Sequence, residues 1–418
     1  MAQTQVTIAT VNNNDMVVMQ ELSSKFEEEN PDIQLNWVIL EENVLRQRLT
    51  TDIATGGGQF DILTIGLFET PIWGERDWLV PFENVPADYD LDDVLQSVRD
   101  GLSTGGKLYA LPFYAESQMT FYRKDLLDAA GETMPDQPTW DDIERIAAAI
   151  NDPENDVYGI CLRGKPGWGE NVGQITPVAN SYGARWFDMD WEPQLTSPEW
   201  KEALGRYVGL LREYGPPGVA SNGYNETLAL FAGGHCGIWV DATVSAGFLT
   251  NPDESKVHDK VGYAHPPVGK YEKGNHYLWS WALAVPTSSK SAEAAQKFIY
   301  WATSKEYIKL VAEHSGWASV PPGTRESTYA NPNYIEAAPF AQLTFDTIQT
   351  ADPTDATQEP VPYVGISYVG IPEFQSFGTT VGQEFAAAIA GSKTVEEALQ
   401  AAQDATRTAM EQAGYIKN

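Results

Sequence analysis

Apolar runs with a two-residue period alternate with runs of a three-to-four-residue period through the first two-thirds of this chain. That alternation restricts the fold more than any other feature, because strands separated by helices build a parallel or mixed sheet with helices on its faces. Val6–Val11 reads as a strand. Val18, Leu22 and Phe26 then recur every four residues, in a helix that stops at Asn30-Pro31. Ile33–Leu40 is the second strand, with Leu35, Trp37 and Ile39 alternating, and Val44–Ile53 is a helix closed by Gly56-Gly57-Gly58. Phe60–Ile65 is the third strand, and Met119–Tyr122 and Cys236–Val240 read as further ones. The fold class is α/β.

Helix ends are marked in several places. Thr139 is placed to cap a helix whose core face is Ile143, Ile146, Ala147 and Ile150. Ser197-Pro198 opens another, which Tyr214-Gly215 closes. Phe374–Ala390 and Thr394–Gln412 are helices, the latter starting with Thr394 and Glu397 in capping-box spacing. Leu278–Val285 is an apolar run ending at Pro286, as a buried parallel strand does. Ser291 is expected to cap the helix that turns Ala294, Ala295, Phe298, Ile299 and Ala302 inward. Ser304 caps the next, with Tyr307, Ile308, Val311 and Ala312 inside.

A chain of 418 residues is too long for one core and implies two or three domains. Its 27 Lys and Arg against 58 Asp and Glu give a net charge of −31, which argues against nucleic acid and anionic lipid as partners. The bland account of the same acidity is solubility. No run of about 18 apolar residues is present, so nothing is expected to span or insert into a membrane. Met1-Ala2-Gln3-Thr4 leads directly into the first strand. That start suits a cytosolic chain, and equally an exported chain restarted with Met after removal of a leader. Cys161 and Cys236 each lie in an apolar strand-like run. They read either as two small buried hydrophobes or as a disulfide between neighbouring strands. There is no CxxC, and the five His have no close paired spacing, so no metal is expected. The glycines at 56–58 precede a strand and lack a following Gly-Lys-Ser/Thr, so they are a helix end and not a phosphate loop. No cofactor is expected.

Five stretches in order, NHYLWSWALAVPTSSKSAEAAQKFIYWATSKEYIKLVAEHSGWASVPP at 275–322 among them, carry a resemblance. The others are FEEENPDI at 26–33, IATGGGQFDILTI at 53–65, LYALPFY with FYRKDLL at 108–127, and PTWDD at 138–142. Together they resemble the extracellular solute-binding proteins of ATP-driven sugar importers. Two segments, YGICLRGKPGWG at 158–169 and GIWVDATVSAG at 237–247, are similar to the branch that binds sugar alcohols such as mannitol, sorbitol and smaller polyols. The resemblance implies a two-lobe, type II "Venus flytrap" fold with several hinge crossings, near 111–116, 278–283 and 319–322. The lobes it implies are 1–113 plus 283–320, and 114–282 plus 321–418. It also implies a periplasmic monomer that closes on its solute, delivers it to membrane permease subunits and catalyses nothing.

A polyol offers many hydroxyls and little charge, so its site needs hydrogen-bonding groups of both kinds and apolar or aromatic walls. In open α/β sheets ligands sit beyond the carboxyl ends of strands. That rule selects Asn13, from a polar run in which Asn14 or Asp15 caps the next helix, and Phe68 and Glu69 after the third strand. It also selects Arg163 and Trp168 beside Gly164 and Gly167, and Trp239 and Asp241 at the end of an apolar strand. Tyr114 and Glu116 lie at the first crossing, Glu116 where the family's sugar binders place a carboxylate. Trp279 and Trp281 are read as facing opposite sides, one in the core and one toward solute, with Trp279 chosen for the latter. Trp317 occupies a turn where the family contacts solute, and Tyr368 a loop flanked by glycine. Plain structural readings stand beside several of these: a cap at Asn14 or Asp15 for the polar run that holds Asn13, a first-turn carboxylate for Glu69, an ion pair for Arg163, a cap on a helix from Ala242 for Asp241, and core for Trp168 and for one of Trp279 and Trp281. The expected function is capture of mannitol, sorbitol or a pentitol for an importer. The alternatives are a binder of a cyclic mono- or oligosaccharide, and an enzyme cleaving a glycoside with a carboxylate pair drawn from Glu69, Glu116 and Asp241.

Overall fold

The computed structural model describes residues 3–416. Met1 and Ala2, which bear on the reading of the chain start, lie outside them. The strands are β1 (Thr4–Val11), β2 (Ile33–Leu40), β3 (Ile62–Ile65), β4 (Ser103–Thr104), β5 (Lys107–Leu108) and β6 (Leu111–Glu116). They continue with β7 (Gln118–Arg123), β8 (Tyr158–Cys161), β9 (Cys236–Ala242), β10 (Val261–Ala264) and β11 (Trp279–Ala284). They form a five-stranded sheet in the order β2-β1-β3-β11-β6, a four-stranded sheet β10-β7-β9-β8 and the small pair β4-β5. Two compact units result. The first takes the chain through Glu116 and again Trp279–Gln342, and the second takes Ser117–Leu278 and the chain from Leu343.

Residues 321–342 group with the first unit, whereas the sequence reading put them with the second lobe. Arg325 ties them there. Its side chain is fully buried, Nη1 donates to the Asp90 carbonyl at 3.0 Å, Nη2 to the Thr303 carbonyl at 3.2 Å, and the guanidinium lies 4.6 Å from the Tyr89 ring.

In the first unit β1 runs parallel to β2 along its whole length and parallel to β3. The helix α1 (Asn14–Glu29) follows β1, and α2 (Glu42–Thr55) follows β2. The run expected to be a parallel strand is β11, and it is antiparallel to both its neighbours, β3 and β6. An all-apolar run records burial on both faces. It carries no information on direction, which is set by where the chain arrives from. Ser291 also departs from expectation. It precedes the helix Ala292–Ala302, but its side chain makes no cap bond and instead donates to the Gln5 carbonyl at 3.1 Å. Ser304 does cap, accepting from the Tyr307 amide at 3.0 Å. Ala294 and Ala312 are only half-buried, while Phe298, Ile299, Tyr307 and Val311 are core.

In the second unit β8 and β9 are parallel, and β7 is antiparallel to β9. Thr139 caps the helix Trp140–Ile150 in a full capping box with Asp142, and Thr394 does the same for Val395–Ala413 with Glu397. Trp186, Trp200, Phe374 and Phe377 pack edge-to-face or tilted in the core, with Trp186 5.4 Å from Phe374. Cys161 and Cys236 form a disulfide that staples β8 to β9, with 5.9 Å between Cα atoms. Both sulfurs belong to fully buried residues. Replacing both with serine is expected to destabilise this unit by about 2–4 kcal/mol. Denaturant titration of the variant beside the wild-type protein measures this, and coincident curves would contradict it.

Candidate functional site

The strand directions place each unit's candidate residues at one sheet edge. In the first unit β1, β3 and β6 end at the edge where β11 begins, since β11 runs antiparallel to β3 and β6. Trp279 pairs with Glu116 across the β11–β6 ladder, and Trp281 pairs with Tyr114. Asn13 follows β1 at the same edge. Its Oδ1 accepts from the Met16 amide at 3.0 Å, so Asn13 itself caps α1, not Asn14 or Asp15. Its Nδ2 donates to the Tyr114 hydroxyl at 2.9 Å. Asp15, two residues on in the first turn of α1, is buried, and burial raises its carboxyl to about 7, against a lowering by its own backbone amide.

Glu69 starts the short helix α3 (Glu69–Glu75), just after β3, with Phe68 buried before it. One Glu69 oxygen accepts from the Gly66 amide at 2.9 Å and the other from Nη1 of Arg46. Trp279 and Trp281 do not face opposite sides. Residues two apart on a strand share a face, and the two indoles meet edge-to-face at 5.5 Å, the Arg46 guanidinium lying 5.0 Å from one and 4.6 Å from the other. Trp317 opens a single 3-10 turn and is partly exposed.

In the second unit β8 and β9 end where β7 begins, and Gln118 pairs with Ala242. Arg163 follows β8, and Asp241 lies on β9, 6% and 0% exposed. Nε of Arg163 donates to one Asp241 oxygen at 2.8 Å and Nη2 to the other at 2.5 Å. Nη1 reaches the Gly169 carbonyl at 3.1 Å and Glu170 at 3.4 Å, and the guanidinium lies 5.0 Å from the Tyr224 ring. Burial disfavours the charge on Arg163, but the charge and hydrogen bonds of Asp241 more than offset it, and the pKa rises well above its ordinary value. Asp241 caps no helix at Ala242, because β9 continues through that residue. Gln174 joins the cluster, accepting from Gln118 at 2.6 Å and donating to the Tyr277 hydroxyl at 3.4 Å.

The remaining aromatic candidates of this unit are buried and in contact with other rings. Trp239 has no exposed surface and stacks on Phe121 at 5.2 Å. Trp168 and Tyr368 meet edge-to-face at 6.3 Å, and Trp168 Nε1 donates to Gln375. Sequence reasoning missed Arg46, Glu170, Gln174 and Gln118. Arg46 left one signal, a charge between Leu45 and Leu49 on the inward side of α2, four residues after Glu42. Gln174 left none, since its helix, Gly173–Ser181, is buried throughout and has no polar face to contrast with.

A family model described as bacterial extracellular solute-binding protein matches residues 12–309. The mannitol-binding protein of Pseudomonas aeruginosa is 57% identical over 412 residues, which is 99% of this chain and 94% of that one. The crystal structure of an ABC transporter solute-binding protein from Agrobacterium vitis S4 with bound D-mannitol matches with a TM-score of 0.98. It is 57% identical and covers 99% of this chain and 100% of that one. A solute-binding protein from Agrobacterium radiobacter K84 in complex with ribitol matches with a TM-score of 0.86 at 24% identity, over 97% and 99% of the two chains, and speaks for the fold alone. The α/β fold is the type II solute-binding architecture that the resemblance implied. By family match and identity together, this chain belongs to the bacterial extracellular solute-binding proteins.

Proposed function

We propose that the protein is the solute receptor of an ABC importer, that its solute is a sugar alcohol with D-mannitol foremost, and that it works in the periplasm with permease subunits. The observation that carries this is the 57% identity, over 99% of the chain, both to a mannitol-binding protein and to a solute-binding protein holding D-mannitol. The chemistry of the two sheet edges supports it. An alditol has a hydroxyl on every carbon, each both donor and acceptor. The first unit offers it Asn13, Glu69, Tyr114 and Glu116 beside Trp279, with Phe68 and the partly exposed Trp317 as apolar wall. The second offers Arg163 and Asp241, with Gln174 and Gln118 behind them. Groups already fixed by ion pairs lose little freedom when solute arrives, which favours affinity. The two compact units are proposed as the two lobes, closing on the solute.

The protein is a binder and not an enzyme, as its relatives are. Two of the carboxylates that a glycoside-cleaving reading would use, Glu69 and Asp241, are each committed to an arginine. A thermal-shift panel of mannitol, sorbitol, arabitol, ribitol, xylitol, glucose and maltose tests the proposal. Solute at about 100 times its dissociation constant adds about 2.7 kcal/mol of stability. Mannitol is expected to give the largest shift, with a fall in radius of gyration by X-ray scattering. Stabilisation by cyclic sugars alone would replace the solute class and keep the receptor, and a silent panel would remove the polyol reading.

A further inference from the structure

The side chain of Arg46 is 3% exposed and lies between two carboxylates and two indoles. Its Nε and Nη2 donate to one oxygen of Glu42, one helical turn back, at 3.0 and 2.9 Å, and its Nη1 donates to Glu69. The same guanidinium packs on Trp279 and Trp281. Glu69 is held at its other oxygen by the Gly66 amide, so the carboxylate is fixed from both sides. The second unit contains the same device built from other residues: Arg163 held by Asp241 and Glu170 against Tyr224.

A surface ion pair would contribute little, since two mobile side chains lose entropy in a screened medium. A buried arginine fork differs because its planar donors fix the orientation of whatever accepts from them. Glu69 and Trp279 come from different strand ends, after β3 and at the start of β11. Among their contacts described above, Arg46 is the one side chain that touches both.

We propose that Arg46 is a positioning residue of the solute site, fixing the Glu69 carboxylate and the Trp279 indole in the arrangement that receives an alditol. The inference rests on the polyol reading above and names the group that sets its affinity. Lysine at this position keeps the charge and loses the fork. Glu42→Gln leaves arginine in place and loosens one of its two anchors.

The test is a double-mutant cycle on D-mannitol affinity by calorimetry, with wild type, Arg46→Lys, Glu69→Gln and the double variant, each also melted without solute. Arg46→Lys is expected to weaken binding roughly tenfold or more, and the double variant to bind no worse than the weaker single one. Two residues acting through one another give that non-additivity in binding. A purely structural role would lower the solute-free melting temperature and leave the binding losses multiplicative. Should Arg46→Lys fail to fold, Glu42→Gln replaces it with the same expectation. Unchanged mannitol affinity in the variants, or multiplicative losses, would overturn the inference and leave the receptor standing. A wild-type protein that binds no alditol would overturn the polyol reading itself and this inference with it.

Discussion

Asp241→Ala is expected to lower the melting temperature of the second unit by on the order of 10 °C and to abolish alditol binding. Removing one partner of a buried, hydrogen-bonded ion pair costs about 3–5 kcal/mol, here because Arg163 loses its two-pronged acceptor and is left with the longer contact to Glu170 at 3.4 Å, and each kcal/mol moves the midpoint of a unit this size by about 2–4 °C. Arg163 cannot escape by losing its proton, because an arginine stays charged in proteins. A second variant separates stability from recognition. Arg163→Met with Asp241→Leu replaces the pair by apolar side chains of similar volume, which restores part of the stability, Glu170 keeping Lys165 at 3.9 Å. It also removes the polar groups proposed for the solute, so binding stays lost. Calorimetric melting and titration of the two variants read both quantities. Equal instability of the single and double variants would show that Asp241 does more than hold Arg163.

Gly66→Ala is the second large effect. A methyl group at Gly66 would lie 2.1 Å from Cζ2 and 2.4 Å from Cη2 of Trp279, and 2.8 Å from the Ser280 carbonyl. An indole cannot bend, so the ring must leave its place between Gly66 and Arg46. Overpacking of this kind costs about 1–3 kcal/mol, and displacement of Trp279 is expected to weaken mannitol binding beyond detection. Gly205, inside the helix Pro198–Tyr214, is the control of opposite sign. A methyl group there meets nothing within 4 Å. Alanine at Gly205 should therefore stabilise by about 0.5–1 kcal/mol through helix propensity alone. Denaturant midpoints of the two variants should move in opposite directions. Undiminished mannitol affinity in Gly66→Ala would remove Trp279 from the proposed site.

What the sequence reveals and what it hides follow from the range of the interactions. Thr139, Ser197 and Thr394 are readable as caps because a cap bond joins residues three apart. The bounds of Phe374–Ala390 are readable because its last turn meets Gly391, which takes a left-handed conformation. The direction of β11 and the joining of Cys161 to Cys236 depend on partners far away in the chain, and periodicity has no access to them. The same limit applies at the site. Strand ends announce Asn13, Glu69, Arg163 and Asp241, since loops after strands are where polar residues collect. Whether a polar residue there is already occupied is a tertiary matter, and Asn13 proves to be both cap and partner of Tyr114. Trp279 and Trp281 required only the two-residue strand period to be applied correctly, since it puts both indoles on the Arg46 side. Arg46 is hidden for a different reason: on a helix it looks like half of a surface pair with Glu42, and only the fold buries it.

The position of β11 in the five-stranded sheet has a consequence for the order of synthesis. β11 lies between β3 and β6, and Trp279 emerges 279 − 116 = 163 residues after Glu116, the last residue of β6. Until it arrives, β3 and β6 have no shared neighbour, and the first sheet stands divided. At about 5–20 residues per second that interval is roughly ten seconds or longer. All four strands of the second sheet lie between Gln118 and Ala264, so every one of them leaves the ribosome before β11 does. The later-starting sheet is thus the first to have all its parts. A chain cut before residue 279 could complete the β10-β7-β9-β8 sheet and still hold β6 as an orphan strand, its apolar faces and backbone groups exposed to any other unfinished copy.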